Sequence, residues 1–210
     1  MMSPRGRQRE ERKRRILRAA DALFSRDGFQ GVSMEEIAEK AEVGVATVYN
    51  YFGTKGRLLH ALLRPEIKAL RQKGAAMLAA PPAEPAAGMN ALLAVYRGLR
   101  NNWAASRLLQ AVSSPGLTTE AALDDLSVEA EAMVKQHIGD LLRHYQARGK
   151  VIAGLNITDA VAIIFAIFNQ HFLDFIASEI SGFKTMASDM DRRVALVIGA
   201  WETGAAVPGP

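Results

Sequence analysis

Apolar residues recur at intervals of three and four along most of the chain, whereas no stretch alternates apolar and polar residues long enough to form a pair of strands. The first apolar stripe has the spacing of one helix face and contains Ile16, Leu17, Ala20, Leu23 and Phe24. Gly28 follows at a position suited to a left-handed residue just beyond a helix, and Phe29 can fold back onto the last turn. The pattern predicts an all-α protein with about nine helices.

The second helix carries a complete set of start signals. Ser33 is a favourable N-cap residue, and Glu36 three positions later completes a capping box, in which side chains and backbone bond reciprocally. Val32, just before the cap, can pack against Ile37 in the first turn. These signals predict a helix that begins after Ser33 and ends near Ala41.

A short turn then leads into a third predicted helix, Val45–Phe52. Gly53 is expected to end this helix, and Thr54 is expected to cap a fourth helix that begins at Lys55. Two short helices joined by about three residues have the spacing of a helix-turn-helix motif. Residues 1–60 are therefore predicted to form a three-helix helix-turn-helix DNA-binding domain with a basic arm at its N-terminus.

Prolines interrupt the apolar pattern at two later places. Pro65 lies within the fourth apolar stripe, where it removes a backbone donor and predicts a kink or a break. The stretch 79–88 contains three more prolines and predicts a second interruption. Beyond it we expect four helical zones, which complete a helical effector-binding and dimerisation domain over residues 61–210: 86–112, 119–148, an apolar helix that Thr158 caps and that runs to about Ser181, and a last helix that Ser188 opens.

Basic residues are concentrated at the N-terminus. Residues 1–60 carry 12 Lys and Arg against 8 Asp and Glu, whereas residues 61–210 carry 14 Lys and Arg against 14 Asp and Glu. Most of the excess lies in the arm, residues 5–18, which points to a polyanion partner whose counterions are released on binding. A disordered tail that only keeps the protein in solution is the alternative that charge alone leaves open.

Composition narrows the class further. The chain has no Cys, so disulfides and thiolate metal sites are excluded, and its charged N-terminus lacks the apolar core of a signal peptide. The longest apolar run, residues 160–168, is far shorter than the roughly 18–20 residues that span a bilayer. We therefore expect a cytoplasmic protein with no membrane partner.

Residues around the third helix carry the most specific chemistry. A recognition helix presents its first residues to base edges in the major groove, so small side chains there permit close approach. The segment begins with the small residues Gly44, Val45 and Ala46. Tyr49 and Tyr51 follow at positions from which a hydroxyl can reach a phosphate. Lys55 adds a cation in the first turn of the next helix, where backbone N–H groups also favour an anion.

At these residues the chain resembles the TetR family of regulators. The resemblance covers about residues 16–63 and includes the phrase GVSMEEIAEKAEVGVATVYNYFGTKGRLLHALL, of which Thr47-Val48-Tyr49-x-Tyr51-Phe52-x-x-Lys55 is the most specific part. By position, the resemblance implies that DNA phosphates are held by Ser33, Thr47, Tyr49, Tyr51 and Lys55. It implies that the bases are faced by Gly44, Val45, Ala46 and Asn50.

Three of these positions depart from the family pattern. Gly44 stands where the family often has Ser, and a glycine cap costs only about a few tenths of a kcal/mol. Val45 and Asn50 stand where a basic residue is common, so bidentate readout of guanine is excluded at both. Asn50 can instead read an adenine, and Val45 can contact a thymine methyl, although a core role for Val45 stays open.

The resemblance also implies a role for residues 61–210. Family members are dimers joined by their last two long helices, and their middle helices enclose a cavity for an effector that alters the spacing of the reading heads. The residues expected at the dimer interface are Phe165, Phe172, Ile176, Val194, Val197, Ile198 and Trp201. The candidates for the effector pocket are Tyr96, Trp103, Met133, His137, Phe168 and Asn169. Ordinary core packing is the alternative for the pocket candidates other than Asn169, which could instead meet its symmetry mate or have a surface or core role. A monomer with a wholly buried helix is the alternative for residues 158–181.

The predicted function is a ligand-responsive transcriptional regulator that binds a palindromic operator as a homodimer. Repression, with release by a small and largely apolar effector, is the expected mode, while activation and a regulator that needs no ligand stay open. The sequence contains no nucleophile elbow, Gly-rich phosphate loop or metal-ligand pair at helical spacing, so we expect neither an enzyme nor a cofactor or metal. A non-specific architectural DNA protein would explain the basic arm but not residues 61–210.

Overall fold

A computed structural model describes residues 3–97, 121–177 and 183–203, except for the side chains of residues 121–127, 172–177 and 183–186. The regular elements in these ranges are eight α-helices: α1 (Pro4–Asp27), α2 (Met34–Lys40), α3 (Val45–Phe52), α4 (Lys55–Ala79), α5 (Pro85–Arg97), α6 (Ala121–Ala147), α7 (Ile157–Ala177) and α8 (Phe183–Trp201). Pairing of extended backbone in the same ranges is limited to an isolated bridge between Val151 and Glu202. The predicted all-α class is confirmed.

The basic arm is the first part of α1. The Oγ of Ser3 caps this helix by accepting from the Gly6 N–H at 3.1 Å, and Pro4 occupies the first helical position, where a missing N–H breaks no hydrogen bond. The later turns of α1 bury Ile16 and Phe24 completely. The arm therefore continues the axis of a helix that is anchored in a core.

Local signals for the ends of the first helices are confirmed. Gly28 follows α1 with a φ of 77°, and the ring of Phe29 folds back to 5.4 Å from the ring of Phe24, centroid to centroid. Ser33 and Glu36 form the full capping box at the start of α2. Short helices of this kind depend on caps, because they have few internal hydrogen bonds.

The break expected at Pro65 does not occur, because α4 continues through this residue from Lys55 to Ala79. Pro65 itself is exposed, so water can reach the carbonyl that loses its partner. Leu63, Ile67 and Leu70 on either side are buried. Burial of an apolar stripe on both sides outweighs the roughly 3 kcal/mol that a proline costs inside a helix.

Two later helices begin at residues other than those predicted. Asn156 caps α7, since its Oδ1 accepts from the backbone N–H of Thr158 at 3.0 Å and of Asp159 at 3.3 Å. The predicted cap, Thr158, already lies inside the helix. Ser188 is likewise an interior residue of α8, which begins at Phe183. Asn ranks above Thr as an N-cap, so Asn156 is the more favourable cap of the two.

The chain divides into two compact units. Among the residues that the structure describes, the first unit contains 3–68 and 121–128, and the second contains 69–97, 129–177 and 183–203. The compact units thus separate along α4 after Lys68, while the functional division into residues 1–60 and 61–210 stays a prediction.

The second unit is a bundle in which α8 packs against both α5 and α7. Arg97 of α5 reaches α8, where its Nη1 lies 2.8 Å from Asp191 Oδ1 and donates to the Ala187 carbonyl at 3.2 Å. Its core is apolar and includes Met89, Leu92, Leu93, Ile138, Leu141, Ile164, Val194 and Ile198. Within the described part of the chain, the helices are too short or too polar to cross a membrane.

Candidate nucleic-acid interface

The third helix divides cleanly into a buried and an exposed face. Val48 and Phe52, four residues apart, are buried and hold α3 on the core of the first unit. The opposite face exposes Tyr49, whose side chain is 46% accessible, and the neighbouring Asn50. A helix with this division presents a polar row to whatever lies outside the unit.

The residues expected to face the bases lie at the start of this exposed face. Gly44 and Ala46 are exposed, and Gly44 caps α3 without a side-chain bond, its carbonyl accepting from the Thr47 N–H at 2.8 Å. Their small side chains leave the first turn of α3 open to close approach. Val45 is only half-exposed, so part of its side chain belongs to the core, as the alternative for this residue held.

Arg15, which sequence reasoning treated only as part of the basic arm, holds the turn between α2 and α3. Its guanidinium donates to the Ala41 carbonyl at 3.1 Å from Nε and 2.7 Å from Nη2, and to the Glu42 carbonyl at 2.7 Å. These carbonyls end α2 at a turn where Glu42 has a φ of 53°. A planar fork of donors suits this task, and no local pattern around Arg15 signals it.

Of the tyrosines expected to hold phosphates, Tyr49 is exposed and Tyr51 is tied to α1. The Tyr51 hydroxyl donates to the Arg9 carbonyl at 3.0 Å, and the Arg9 guanidinium carbon lies 6.0 Å from the centre of the Tyr51 ring. Tyr51 therefore links the arm to α3. Thr47 is half-exposed on α3, beside the capping residue.

Ser33 and Lys55, also expected at phosphates, both make bonds inside the first unit. The Ser33 hydroxyl and backbone N–H donate to Glu36 Oε2, and these bonds hold the pKa of the Glu36 carboxyl below its usual value. A phosphate at Ser33 would thus meet a charged carboxylate. The Lys55 ammonium donates to the Val32 carbonyl at 2.8 Å and lies 4.6 Å from the centre of the Phe29 ring. A role at phosphates stays a prediction for both residues.

Four of the six effector-pocket candidates are buried in the second unit, and three of them meet. The Tyr96 hydroxyl is hydrogen-bonded to His137 Nδ1, and the Phe168 ring meets Tyr96 edge-on with ring centroids 6.2 Å apart. Met133, one turn before His137 on α6, is buried too. Asn169 is exposed, which corrects its assignment to the pocket, because α7 turns it away from the core. Trp103 lies outside the described residues.

Burial controls the ionisation of this polar pair. Burial raises the pKa of Tyr96 and lowers the pKa of His137, because removal from water disfavours phenolate and imidazolium alike. Both groups are therefore neutral at pH 7, and the Tyr96 hydroxyl can donate to an unprotonated Nδ1. The pair is a polar point in otherwise apolar surroundings.

Some of the residues expected at the dimer interface are buried within the protomer, whereas others are partly exposed on its surface. Val194 and Ile198 are completely buried within the protomer, which corrects their assignment, because α8 uses that face to pack on its own unit. Phe165, Val197 and Trp201 are half-exposed. The side chains of Phe172 and Ile176 lie outside the part of the chain that is described.

The large apolar side chains that α7 and α8 do expose were not predicted. Ile163 is 45% accessible and Leu196 is 75% accessible. Leu196 lies two residues from the buried Val194, which puts it on the opposite face of α8. Among the described residues, no three His, Asp or Glu side chains are placed to hold a metal ion together.

A short exposed helix, preceded by a capped helix and a turn held by arginine, defines a helix-turn-helix domain of the kind that reads nucleic acid. Residues 16–62 match the family model of the bacterial regulatory proteins of the tetR family. Over this part of its length the chain is similar to the TetR family of transcriptional regulators, as the resemblance implied.

Curated relatives match over less than a third of the chain's length. The transcriptional repressor KstR of Rhodococcus jostii is 42% identical over 65 residues, which are 31% of this chain and 31% of that repressor. KstR of Mycobacterium tuberculosis is 40% identical over 63 residues, or 30% of this chain and 29% of that protein. The matches thus span less than a third of either relative. These relatives are transcriptional regulators, not enzymes.

Solved structures match over nearly the whole chain. FadR from Bacillus subtilis, in complex with stearoyl-CoA, has a TM-score of 0.67 and 15% identity, and covers 92% of this chain and 99% of that one. SmeT, in complex with triclosan, has a TM-score of 0.68 and 18% identity, and covers 95% of this chain and 96% of that one. At such identities the likeness establishes a shared fold.

Proposed function

We propose that the protein is a DNA-binding transcriptional repressor that recognises a palindromic operator as a homodimer in the cytoplasm and is released by a small, largely apolar effector. The observation that carries the proposal is the exposed face of α3. There, small residues in the first turn admit base edges, and an amide and a phenol follow along the same face.

Asn50 is the residue that we assign to base reading. Its side-chain amide is exposed on α3 and can make a bidentate contact to the N6 and N7 of adenine. Tyr49, beside it, is assigned to a phosphate, because its hydroxyl donates to oxygen and carries no base preference. Replacing each residue by alanine should therefore separate recognition from affinity.

The arm of α1 is assigned to phosphates as well. Arg5, Arg7, Arg9 and Arg12 are exposed along the helix, and the bond from Tyr51 to the Arg9 carbonyl attaches this stretch to α3. Several arginines on one anchored helix favour a polyanion, and release of its counterions makes binding depend steeply on salt.

For the dimer we propose the exposed faces of α7 and α8. Among the side chains that the structure describes on the last two helices, Ile163 and Leu196 are the exposed large apolar ones, and Ala162 and Ala166 extend the face of α7. Exposed apolar surface on consecutive long helices is typical of an association site. Val197 and Trp201, half-exposed, remain part of the proposed interface, while Val194 and Ile198 do not.

The cluster in the second unit supports an apolar effector. Tyr96, Phe168 and Met133 would offer apolar contact, and the Tyr96–His137 pair would offer one polar contact, which is the usual composition of a small-molecule site. FadR and SmeT, which share the fold, are described with stearoyl-CoA, which has a long apolar acyl chain on a polar carrier, and with triclosan, which is largely apolar. An effector of that character is the natural first class to screen.

The test is to select bound fragments from the source genome with purified protein and to titrate the best fragment at two salt concentrations. We expect a palindromic site bound far more tightly than bulk DNA, with two subunits per site in sedimentation. Tyr49→Ala should weaken binding to operator and bulk DNA alike, whereas Asn50→Ala should lower only the preference for the operator. Binding without any preference would contradict the proposal.

Leu196→Glu tests the interface in the same assay. This exposed residue contributes nothing to the protomer core, so the variant should fold and sediment as a monomer. Ala75→Glu, at an exposed position of α4 outside the proposed interface, is the control for the added charge. A Leu196→Glu protein that still sediments as a dimer would place the interface elsewhere.

A further inference from the structure

An open groove of about 610 Å³ lies within the first unit, beside the C-terminal end of the recognition helix. Residues of α1, α3 and α4 line it, among them Lys13, Tyr49, Asn50, Gly53, Arg57 and His60. Tyr49 and Asn50 belong both to this groove and to the exposed face of α3. The groove is therefore continuous with the proposed reading surface.

The lining of the groove is basic. Lys13 and Arg57 bring two cations to it, and His60 adds an imidazole that can donate a hydrogen bond. None of the residues that line the groove is an Asp or a Glu. The exposed side of α2, by contrast, carries Glu35 and Glu39. In the first unit an anion is therefore attracted to this groove rather than to the exposed side of α2.

Arg57 is positioned at the end of α3. A Cβ placed on Gly53 would lie 3.5 Å from Arg57 Nη1, so the guanidinium lies against the residue that ends the helix. Thr54 caps the start of α4 at the same place, since its Oγ1 accepts from the Arg57 N–H at 3.2 Å. The side chain of Arg57 is exposed, and its planar fork suits two oxygens of one phosphate.

Lys55, two residues earlier, has a different environment. Its ammonium lies between the Val32 carbonyl, at 2.8 Å, and the Phe29 ring, at 4.6 Å from the centroid. Both partners belong to the segment between α1 and α2, so the bond joins the start of α4 to that segment. It does not line the groove.

From this arrangement we infer that the groove binds the DNA backbone, with Arg57 and Lys13 as its phosphate-binding residues and Lys55 as a positioning residue. The inference rests on the proposed function and deepens it. It places a backbone phosphate next to the base that Asn50 reads. It assigns this phosphate to Arg57 and Lys13, whereas the family pattern assigns a phosphate to Lys55.

The test is the salt dependence of DNA binding, measured on the selected operator and on a random duplex of equal length. Each lost phosphate contact lowers the slope of log affinity against log salt by about 0.9. Because the proposed dimer carries each residue twice, we expect a loss of about 1.8 for Arg57→Gln and for Lys13→Gln, and about 3.6 for the double variant, on both duplexes. Arg26→Gln is the matched control, because Arg26 is exposed and pairs with Asp27 at 2.7 Å.

The Lys55→Met variant distinguishes the positioning role of Lys55 from the phosphate-binding role of Lys13. We expect a lower melting temperature and an unchanged salt slope at a temperature where circular dichroism reports a folded protein. A slope that falls for Lys55→Met but not for Arg57→Gln or Lys13→Gln would overturn the inference. Because the random duplex already reports the slope, the inference is tested even if no operator is found, which would count against the proposed function alone.

A free anion is the other source of phosphate chemistry for this groove. Inorganic phosphate is therefore titrated into the protein at constant ionic strength, with Arg57→Gln as the comparison. We expect no saturable binding below millimolar concentrations. Saturable binding that Arg57→Gln abolishes, together with DNA slopes that no variant changes, would assign the groove to a small anion and overturn the inference.

Discussion

Side chains bond to backbone groups in both compact units, but the second unit also contains a hydrogen bond between two buried side chains. In the first, side chains at partly exposed places bond to backbone carbonyls and N–H groups, as Arg15 does at Ala41 and Lys55 at Val32. In the second, two side chains from helices far apart in sequence, Tyr96 and His137, bond to each other at 2% and 5% exposure.

This difference agrees with how the chain resembles known proteins. A bond from a side chain to a turn needs a particular residue type at a particular place, and the family model matches within the first unit. A packed bundle accepts many combinations of apolar side chains. Solved structures share the fold over nearly the whole chain at 15–18% identity, so the fold does not require one particular sequence over most of that length.

The largest effect is expected from adding a side chain at Gly74, which lies against the buried hydrogen-bonded pair of Tyr96 and His137. A Cβ on Gly74 would lie 2.6 Å from the Tyr96 hydroxyl and 2.8 Å from His137 Cε1. Gly74→Leu should therefore force the pair apart and lower the free energy of unfolding by about 3 kcal/mol. Ala75→Leu, at the exposed neighbouring position, is the control and should change it by less than about 0.5 kcal/mol. Urea unfolding measures the free energy of unfolding of both variants. Equal changes would mean that a side chain at residue 74 does not collide with the buried pair.

A smaller loss is expected from the turn of the first unit. Arg15→Ala removes three hydrogen bonds from a charged donor to the Ala41 and Glu42 carbonyls, and should cost about 2 kcal/mol of unfolding free energy. Arg14→Ala, at an exposed position of the same charge, should cost almost nothing. Thermal unfolding of the two variants compares them, and similar melting temperatures would argue that Arg15 acts only through its charge.

The capping box predicts a loss of about half that size. Ser33→Ala removes the acceptor of the Glu36 N–H and should cost about 1 kcal/mol. Ser33→Asp keeps an acceptor at the cap and is the comparison, although it places a second carboxylate beside Glu36. If the Ser33→Ala variant has the same melting temperature as the wild type, water has replaced the Ser33 hydroxyl as the acceptor of the Glu36 N–H.

The smallest expected effect is a change in the free energy of unfolding with pH. It should occur in a different pH range in each of the two units. Because burial lowers the pKa of His137 in the folded protein, the unfolded chain binds the proton more readily. Stability is therefore complete above the ordinary histidine pKa of about 6.5 and is lost as pH falls through the folded value. Asp140 opposes this shift and Arg71 adds to it.

His137→Gln should remove that part of the pH dependence, measured as the difference in unfolding free energy from wild type between pH 7 and pH 5. The Glu36 carboxyl of the first unit, whose pKa is lowered by its bonds to Ser33, should act only at lower pH, below the ordinary glutamate value of about 4.3. A variant that follows the wild-type curve throughout would show that His137 does not titrate with unfolding.

Much of the first unit was predictable, because its signals are local. The capping box of Ser33, the turn at Gly28 and the recognition helix Val45–Phe52 each depend on residues within a few positions of one another. Of the kink or break predicted at Pro65, the break does not occur, because the cost of the proline was weighed without the buried residues on either side. The cap of α7 was placed two residues late, although Asn156 is a more favourable cap than Thr158.

The sequence by itself determined the all-α class, the helix-turn-helix and the resemblance of residues 16–62 to the TetR family, since periodicity, caps and a motif are read along the chain. Only the tertiary structure decided which cations are already bonded, so that Lys55 faces Val32 and Phe29 while Arg57 lines the groove. It also decided that Val194 packs inward and Leu196 outward. The physical reason is that a side chain's partner is set by which helices meet, and helices that meet are often far apart in sequence.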